Sequence, residues 1–214
     1  MATPRQDTRT RSRLYLVTPP VDDPAAAAAM LGPALAAADI AAVLLRLAGA
    51  DERALINHVK ALAPLVQDRG AALLLDGRPD LVARTGADGA HLTGIDALKD
   101  AIGGLKPDRI AGASGLSSRH DAMLAAEAGA DYVMFGEPRP DGARPSFEAV
   151  VERVLWWTEV FEIPCVAYAA NHDEVGRLRA AEFVALGDFV FRDPRGSATA
   201  VAQAAGHLMT ESLA

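Results

Sequence analysis

The amino-acid sequence predicts an α/β fold, a single-domain (β/α)8 TIM barrel, and three observations carry that expectation. Short β-type apolar runs alternate with longer Ala-rich segments of helical period, the pattern of repeated βα units around a parallel sheet. Eight such runs fit within 214 residues, enough to close a barrel. Half of the residues are apolar, so a chain of this length can bury one large core.

The expected strands, in order, are Arg13–Thr18, Ala41–Leu47, Ala71–Asp76, Gly89–Leu92, Arg109–Ser114, Tyr132–Gly136, Pro164–Ala169 and Glu182–Gly187. Each is nearly all apolar, as it must be when helices cover one face and the barrel core the other. Helices between them announce themselves by caps. Asp51 precedes a helix over Arg53–Asp68, Ser117 one over Arg119–Ala128, Ser146 one over Phe147–Val160, and Asn171 one over Asp173–Ala180. Gly70, Gly86 and Gly129 follow helices, where a left-handed residue suits glycine, and Gly187 follows a strand. The same alternation permits an open doubly wound sheet. Against it, Pro19 and Pro20 stand after the first strand, where a dinucleotide cradle would place Gly-x-Gly-x-x-Gly.

Composition narrows the function classes. Formal net charge is −7 with Lys and Arg scattered, so no basic stripe draws nucleic acid. Residues 1–13, with Arg5, Arg9, Arg11 and Arg13 but no apolar stretch, read as a mobile basic tail preceding a barrel domain over residues 14–214. No apolar run approaches the roughly 20 residues a bilayer requires; Ala25–Ala38 is shorter and is interrupted by Gly32 and Pro33. The lone Cys165 lies in an apolar run and reads as a small buried hydrophobe with no partner for an internal disulfide, which makes cytoplasmic residence the default. Trp156 and Trp157 are adjacent in one helix, so one can pack inward while the other lies on the surface, where a homo-oligomer contact is its more interesting use.

In such a barrel the functional groups sit at the carboxyl ends of the strands. Reading those ends gives Thr18, Arg46, Asp76 with Arg78, His91 with Thr93 and Asp96, Ser114 with Ser117, Glu137 with Arg139, Asp141 and Arg144, Tyr168 with Asn171 and His172, and Gly187 with Asp188. Arg46 is the most informative, because a guanidinium ending an apolar strand must face an opposite charge. An internal pair with Asp76 and an anionic ligand fit it equally. Asp76 and Asp96 together are the candidate ligands for Mg²⁺, whose preference is for oxygen. His91 suits proton transfer, although a hydrogen-bonded structural role is the commoner fate of a lone strand-end His. Ser114 and Ser117 flank Gly115 in a turn whose amides can hold an anion, and Ser117 serves equally as a helix cap.

Four segments, Leu14–Thr18 (Leu-Tyr-Leu-Val-Thr), Leu73–Leu81, Gly86–Leu92 (Gly-Ala-Asp-Gly-Ala-His-Leu) and Gly129–Gly136 (Gly-Ala-Asp-Tyr-Val-Met-Phe-Gly), stand in this order along the chain. Their order and spacing resemble those of the thiamine phosphate synthase and TenI-like family across nearly the whole chain after residue 13. The resemblance implies a (β/α)8 barrel that joins hydroxymethylpyrimidine diphosphate to thiazole phosphate, with Mg²⁺ on the diphosphate, and expels pyrophosphate. The implied partner is a small phosphorylated heterocycle, with no membrane or nucleic acid.

Several positions depart from the family pattern. Gln-x-Arg-Glu-Lys is matched by Leu44–Ala48, so only Arg46 is kept; Asn-Asp-Arg is matched by Asp76-Gly77-Arg78, which puts Gly77 at one metal position while Asp96 keeps the other. Ser114 matches the diphosphate-contacting Ser, but Gly115-Leu116 replace Thr-His. Pro-Thr-x-Thr-Lys aligns to Pro140–Arg144, which loses the hydroxyls and keeps the cation as Arg144. The thiazole phosphate positions read Ala169-Ala170 and Gly187-Asp188, and an Asp beside phosphate is repulsive. The residues expected to carry a catalytic site are therefore Arg46, Ser114 and Arg144. Asp76, Arg78, His91, Gly187 and Asp188 complete the expected substrate pocket. A synthase-type transferase with a degenerate site, a non-catalytic or regulatory paralogue with a thiazole- or thiamine-like ligand, and a barrel enzyme of changed chemistry are the three readings open to this sequence.

Overall fold

The computed structural model describes residues 11–49, 51–139 and 141–209. Eight parallel strands close into one barrel: β1 (Arg13–Val17), β2 (Ile40–Leu45), β3 (Ala72–Asp76), β4 (Gly89–Thr93), β5 (Ile110–Ser114), β6 (Tyr132–Phe135), β7 (Cys165–Ala169) and β8 (Phe183–Leu186). β1 pairs with β8 through Arg13↔Phe183 to Leu16↔Leu186, which seals the barrel and excludes the open sheet. Eight helices alternate with them: α1 (Pro24–Ala37), α2 (Glu52–Gln67), α3 (Pro79–Thr85), α4 (Ile95–Leu105), α5 (Arg119–Glu127), α6 (Phe147–Val160), α7 (His172–Val175) and α8 (Ser197–Met209).

The two faces of each strand divide the core in two. One cluster joins the outward strand residues to the helices, including Leu16, Val43, Leu75, Val133 and Val184 against Leu31, Leu62, Leu98 and Trp157. The other fills the barrel interior with Tyr15, Val17, Leu44, Leu74, Tyr132, Met134, Val166, Tyr168 and Ala185. The inner layers fit only because some inward positions are glycine. A Cβ on Gly112 would lie 2.1 Å from the Tyr132 ring, so β5 yields its space to the tyrosine of β6.

Helix signals act largely as the sequence implies. Asp51, Ser146 and Asn171 accept from the amides of Ala54, Ala149 and Glu174. At α5 the cap is Ser118, not Ser117: Ser118 and Asp121 form a reciprocal capping box, and the Ser117 hydroxyl donates to Asp121 from outside. The helix expected over Asp173–Ala180 is only the four residues of α7, followed by a 3₁₀ turn at Gly176–Leu178. Pro33 lies inside α1 without ending it.

Residues 1–10 of the expected basic tail lie outside the described residues. Arg13 opens β1 and donates two hydrogen bonds to Asp39, at 2.8 and 2.7 Å, so it is part of the barrel. No helix among the described residues is long and apolar enough to cross a membrane. Trp157 is fully buried and donates from Nε1 to the Ile163 carbonyl at 2.7 Å, whereas Trp156 is half-buried beneath Arg119.

Candidate active site

Two adjoining cavities, of about 470 and 440 Å³, open at the carboxyl ends of the strands. The larger is walled by Arg46, Asp76, His91, Ser114 and Glu137 over an apolar floor of Leu44 and Met134. The smaller lies between the β5 and β6 ends, bounded by Arg139, Arg144 and Arg153. Gly115, Met134, Glu137 and Arg139 border both.

Arg46 is placed by backbone bonds. Its amide donates to the buried Thr18 hydroxyl at 3.0 Å, and its carbonyl accepts from Val21 at 2.8 Å. Its Nε sits 3.3 Å from Asp76 Oδ2, so both uses weighed for it in the sequence are open: it has an internal partner and it faces the cavity. Burial pushes the Asp76 carboxyl up from the ordinary carboxylate range, and the attraction of Arg46 offsets this only in part. Arg78, two residues on, lines neither cavity; it stands just before α3 and pairs with Asp80 at 2.9 and 2.7 Å.

His91 is fully enclosed. Its Nδ1 lies 2.8 Å from the Tyr132 hydroxyl, which lies 2.9 Å from the Tyr15 hydroxyl. A hydrogen-bonded chain thus runs down the barrel axis. Burial, with Arg46 nearby, pushes the His91 pKa down to about 3, so the imidazole is neutral at physiological pH.

Ser114 ends β5 opposite Thr93, the two hydroxyl oxygens 3.4 Å apart. The Gly115 amide that follows is already engaged, donating to Glu137 Oε1 at 2.7 Å. Arg153 of α6 holds the far side of this turn by donating to the Leu116 and Ser117 carbonyls at 2.9 and 3.3 Å.

Arg144 borders the smaller cavity, but its fork is occupied. It donates to the carbonyls of Gly136 and Tyr168 and to both oxygens of Glu174, at 2.9 to 3.3 Å. Gly187 admits the Tyr168 ring: a Cβ there would lie 1.9 Å from the phenol oxygen. Asp188 opens a 3₁₀ turn and pairs with Arg192 at 2.9 Å, leaving Oδ1 buried without a partner.

Asp96 is exposed in the first turn of α4 and borders neither cavity. Asp76 lines the larger cavity and Asp96 does not, and no group of three or more His, Cys, Asp or Glu among the described residues could hold a metal ion. This donor set does not fit a Mg²⁺ cage built by the protein alone.

The structure thus brings together Arg46, Asp76, His91 and Ser114, sets Arg144 at an adjoining wall, and leaves Arg78 and Asp96 outside. Sequence reasoning placed Glu137 among the strand-end groups and singled out none of Tyr132, Arg153 and Glu174 for the site. Tyr132 is two residues before Met134 on β6, and the period-two alternation that turns both inward was the available signal.

Fold and site together define a class: a (β/α)8 barrel with a cavity at the strand ends, Arg46 and Arg139 at its wall and a glycine turn beside it. The sequence model of the family described as thiamine monophosphate synthase matches residues 14–186. A thiamine-phosphate synthase of Rhodospirillum centenum is 44% identical over 198 residues, covering 90% of this chain and 96% of that protein. One of Hyphomonas neptunium is 35% identical over 216 residues, covering 96% and 97%. Among solved structures, thiamine phosphate pyrophosphorylase from Pyrococcus furiosus superposes with a TM-score of 0.74 over 92% of this chain and 95% of that one, at 24% identity. The chain belongs to the thiamine monophosphate synthase family.

Proposed function

We propose that this barrel catalyses the family reaction, joining hydroxymethylpyrimidine diphosphate to thiazole phosphate with loss of pyrophosphate. The single observation that carries the reading is the larger cavity, where a guanidinium, a neutral histidine and an anion-binding turn meet over an apolar floor, in a chain with a full-length relative named for that activity. In the reaction the pyrimidine methylene loses its carbon–oxygen bond to diphosphate, the leaving group takes the electron pair, and the thiazole nitrogen supplies the new bond. Charge develops on the leaving oxygens, so groups placed in advance to meet it lower the barrier. Arg46 supplies positive charge, and the Gly115 amide with the Ser114 hydroxyl supplies donors. Leu44 and Met134 offer a surface for the flat heterocycle. Neutral His91 orients rather than charges: its Nδ1 is committed to Tyr132.

A second reading, a paralogue that binds such a ligand without turning it over, is favoured by one observation: Asp76 and Glu137 place two carboxylates in a pocket meant for a diphosphate. The two readings separate in one assay. Purified protein is supplied with both substrates, with and without Mg²⁺, and thiamine phosphate and pyrophosphate are followed. Turnover is expected, falling by about 10²–10³-fold in Arg46→Ala. No turnover, together with a thermal shift from either substrate, establishes the binding protein; neither turnover nor shift overturns both.

A further inference from the structure

The turn after β5 is shaped to hold an anion, and it already holds one. Gly115, with φ of 67°, is left-handed and lines the cavity. Its N–H donates to Glu137 Oε1 at 2.7 Å, and the Ser114 hydroxyl borders the same cavity beside it. Among the described residues no cation lies within ion-pair distance of Glu137, so the Gly115 amide holds it, with Arg46 more distant. Burial disfavours its charge, and these contacts only partly compensate. A phosphate oxygen offers the same kind of acceptor to that amide with more charge.

We infer that Glu137 is an internal competitor for the phosphate-binding turn: its carboxylate fills the Gly115–Ser114 cradle when no ligand is bound, and swings out when a diphosphate enters. Resting on the function proposed above, this makes Glu137 a determinant of how tightly the expelled pyrophosphate is retained. The returning carboxylate displaces the product from the amide, so pyrophosphate leaves readily despite Arg46. The plainer alternative is a strut, in which Glu137 only braces the turn.

Substitution separates the two. Glu137→Gln keeps an oxygen acceptor for the Gly115 amide and removes the charge; Glu137→Ala removes both. Binding of inorganic pyrophosphate to the full chain is measured by titration calorimetry, with melting curves to confirm that each variant is folded. A competitor predicts that both variants bind pyrophosphate about tenfold more tightly than the wild type, and that adding Ser114→Ala to Glu137→Ala cancels much of the gain. A strut predicts unchanged binding in the Gln variant and weaker binding in the Ala variant, which would overturn the inference while leaving the proposed function intact. If none of the proteins binds pyrophosphate at millimolar concentration, the function itself fails, and the inference with it.

Discussion

At the scale of single residues, His91 shows how burial decides chemistry. Enclosed at 2% exposure and bonded to Tyr132, it is neutral down to about pH 3 in the folded chain, against 6.5 for a free imidazole. Between those values the unfolded chain binds the extra proton, so stability must fall as pH falls. From pH 7 to pH 5 that loss is about 2 kcal/mol. Urea midpoints of the wild type and His91→Gln should diverge by this amount over that interval; parallel curves would show that the imidazole titrates in place. The hydroxyl that bridges His91 to Tyr15 is the other half of the device. Tyr132→Phe strands two buried polar atoms and should cost about 1–3 kcal/mol, read from the same midpoints. His91 was visible in the sequence as a strand-end polar group, and Tyr132 was not, because its partners are 41 and 117 residues away. Pairings of that separation leave no local periodicity to read.

At the scale of elements, the strands were legible to within a residue or two, since eight apolar runs with buried faces on both sides admit few other placements. The loops after them were less so. Arg144 read as a cation for phosphate because its neighbours align with a basic phosphate loop. In the structure α7 delivers Glu174 to it, and the same carboxylate accepts the Ala170 amide at 2.8 Å. One ion pair thus ties the loop after β6 to the four-residue α7, an element with too few turns of its own to be stable alone. Both side chains are mostly buried, at 20% and 12% exposure. Breaking such a pair from one side leaves an uncompensated charge, so Arg144→Ala and Glu174→Gln should each destabilise by about 2 kcal/mol. The double variant should cost much less than their sum. Additive costs in a double-mutant cycle would mean that the two groups act separately, and would return Arg144 to the cavity as a free cation.

At the scale of the whole molecule, stability and the site pull against each other. The outer core is packed largely with aliphatic side chains, whereas the mouth holds Asp76 and Glu137, two acids whose charge burial disfavours. An acid raised in this way keeps its proton in the folded state after the unfolded chain has lost it. Across that window, upward from the ordinary Glu value of 4.5, the folded protein binds more protons, and stability falls as pH rises. The sign is opposite to that of His91, so the wild type sheds part of its stability at neutral pH in order to present charged groups at its mouth, as sites tuned for function commonly do. Glu137→Gln abolishes one such loss. Its melting temperature relative to the wild type should therefore rise as pH is raised through and above the ordinary Glu value of 4.5. A difference independent of pH would show that the Glu137 carboxylate is as well solvated in the folded barrel as in the unfolded chain, and that its grip on the Gly115 amide brings no cost in charge burial.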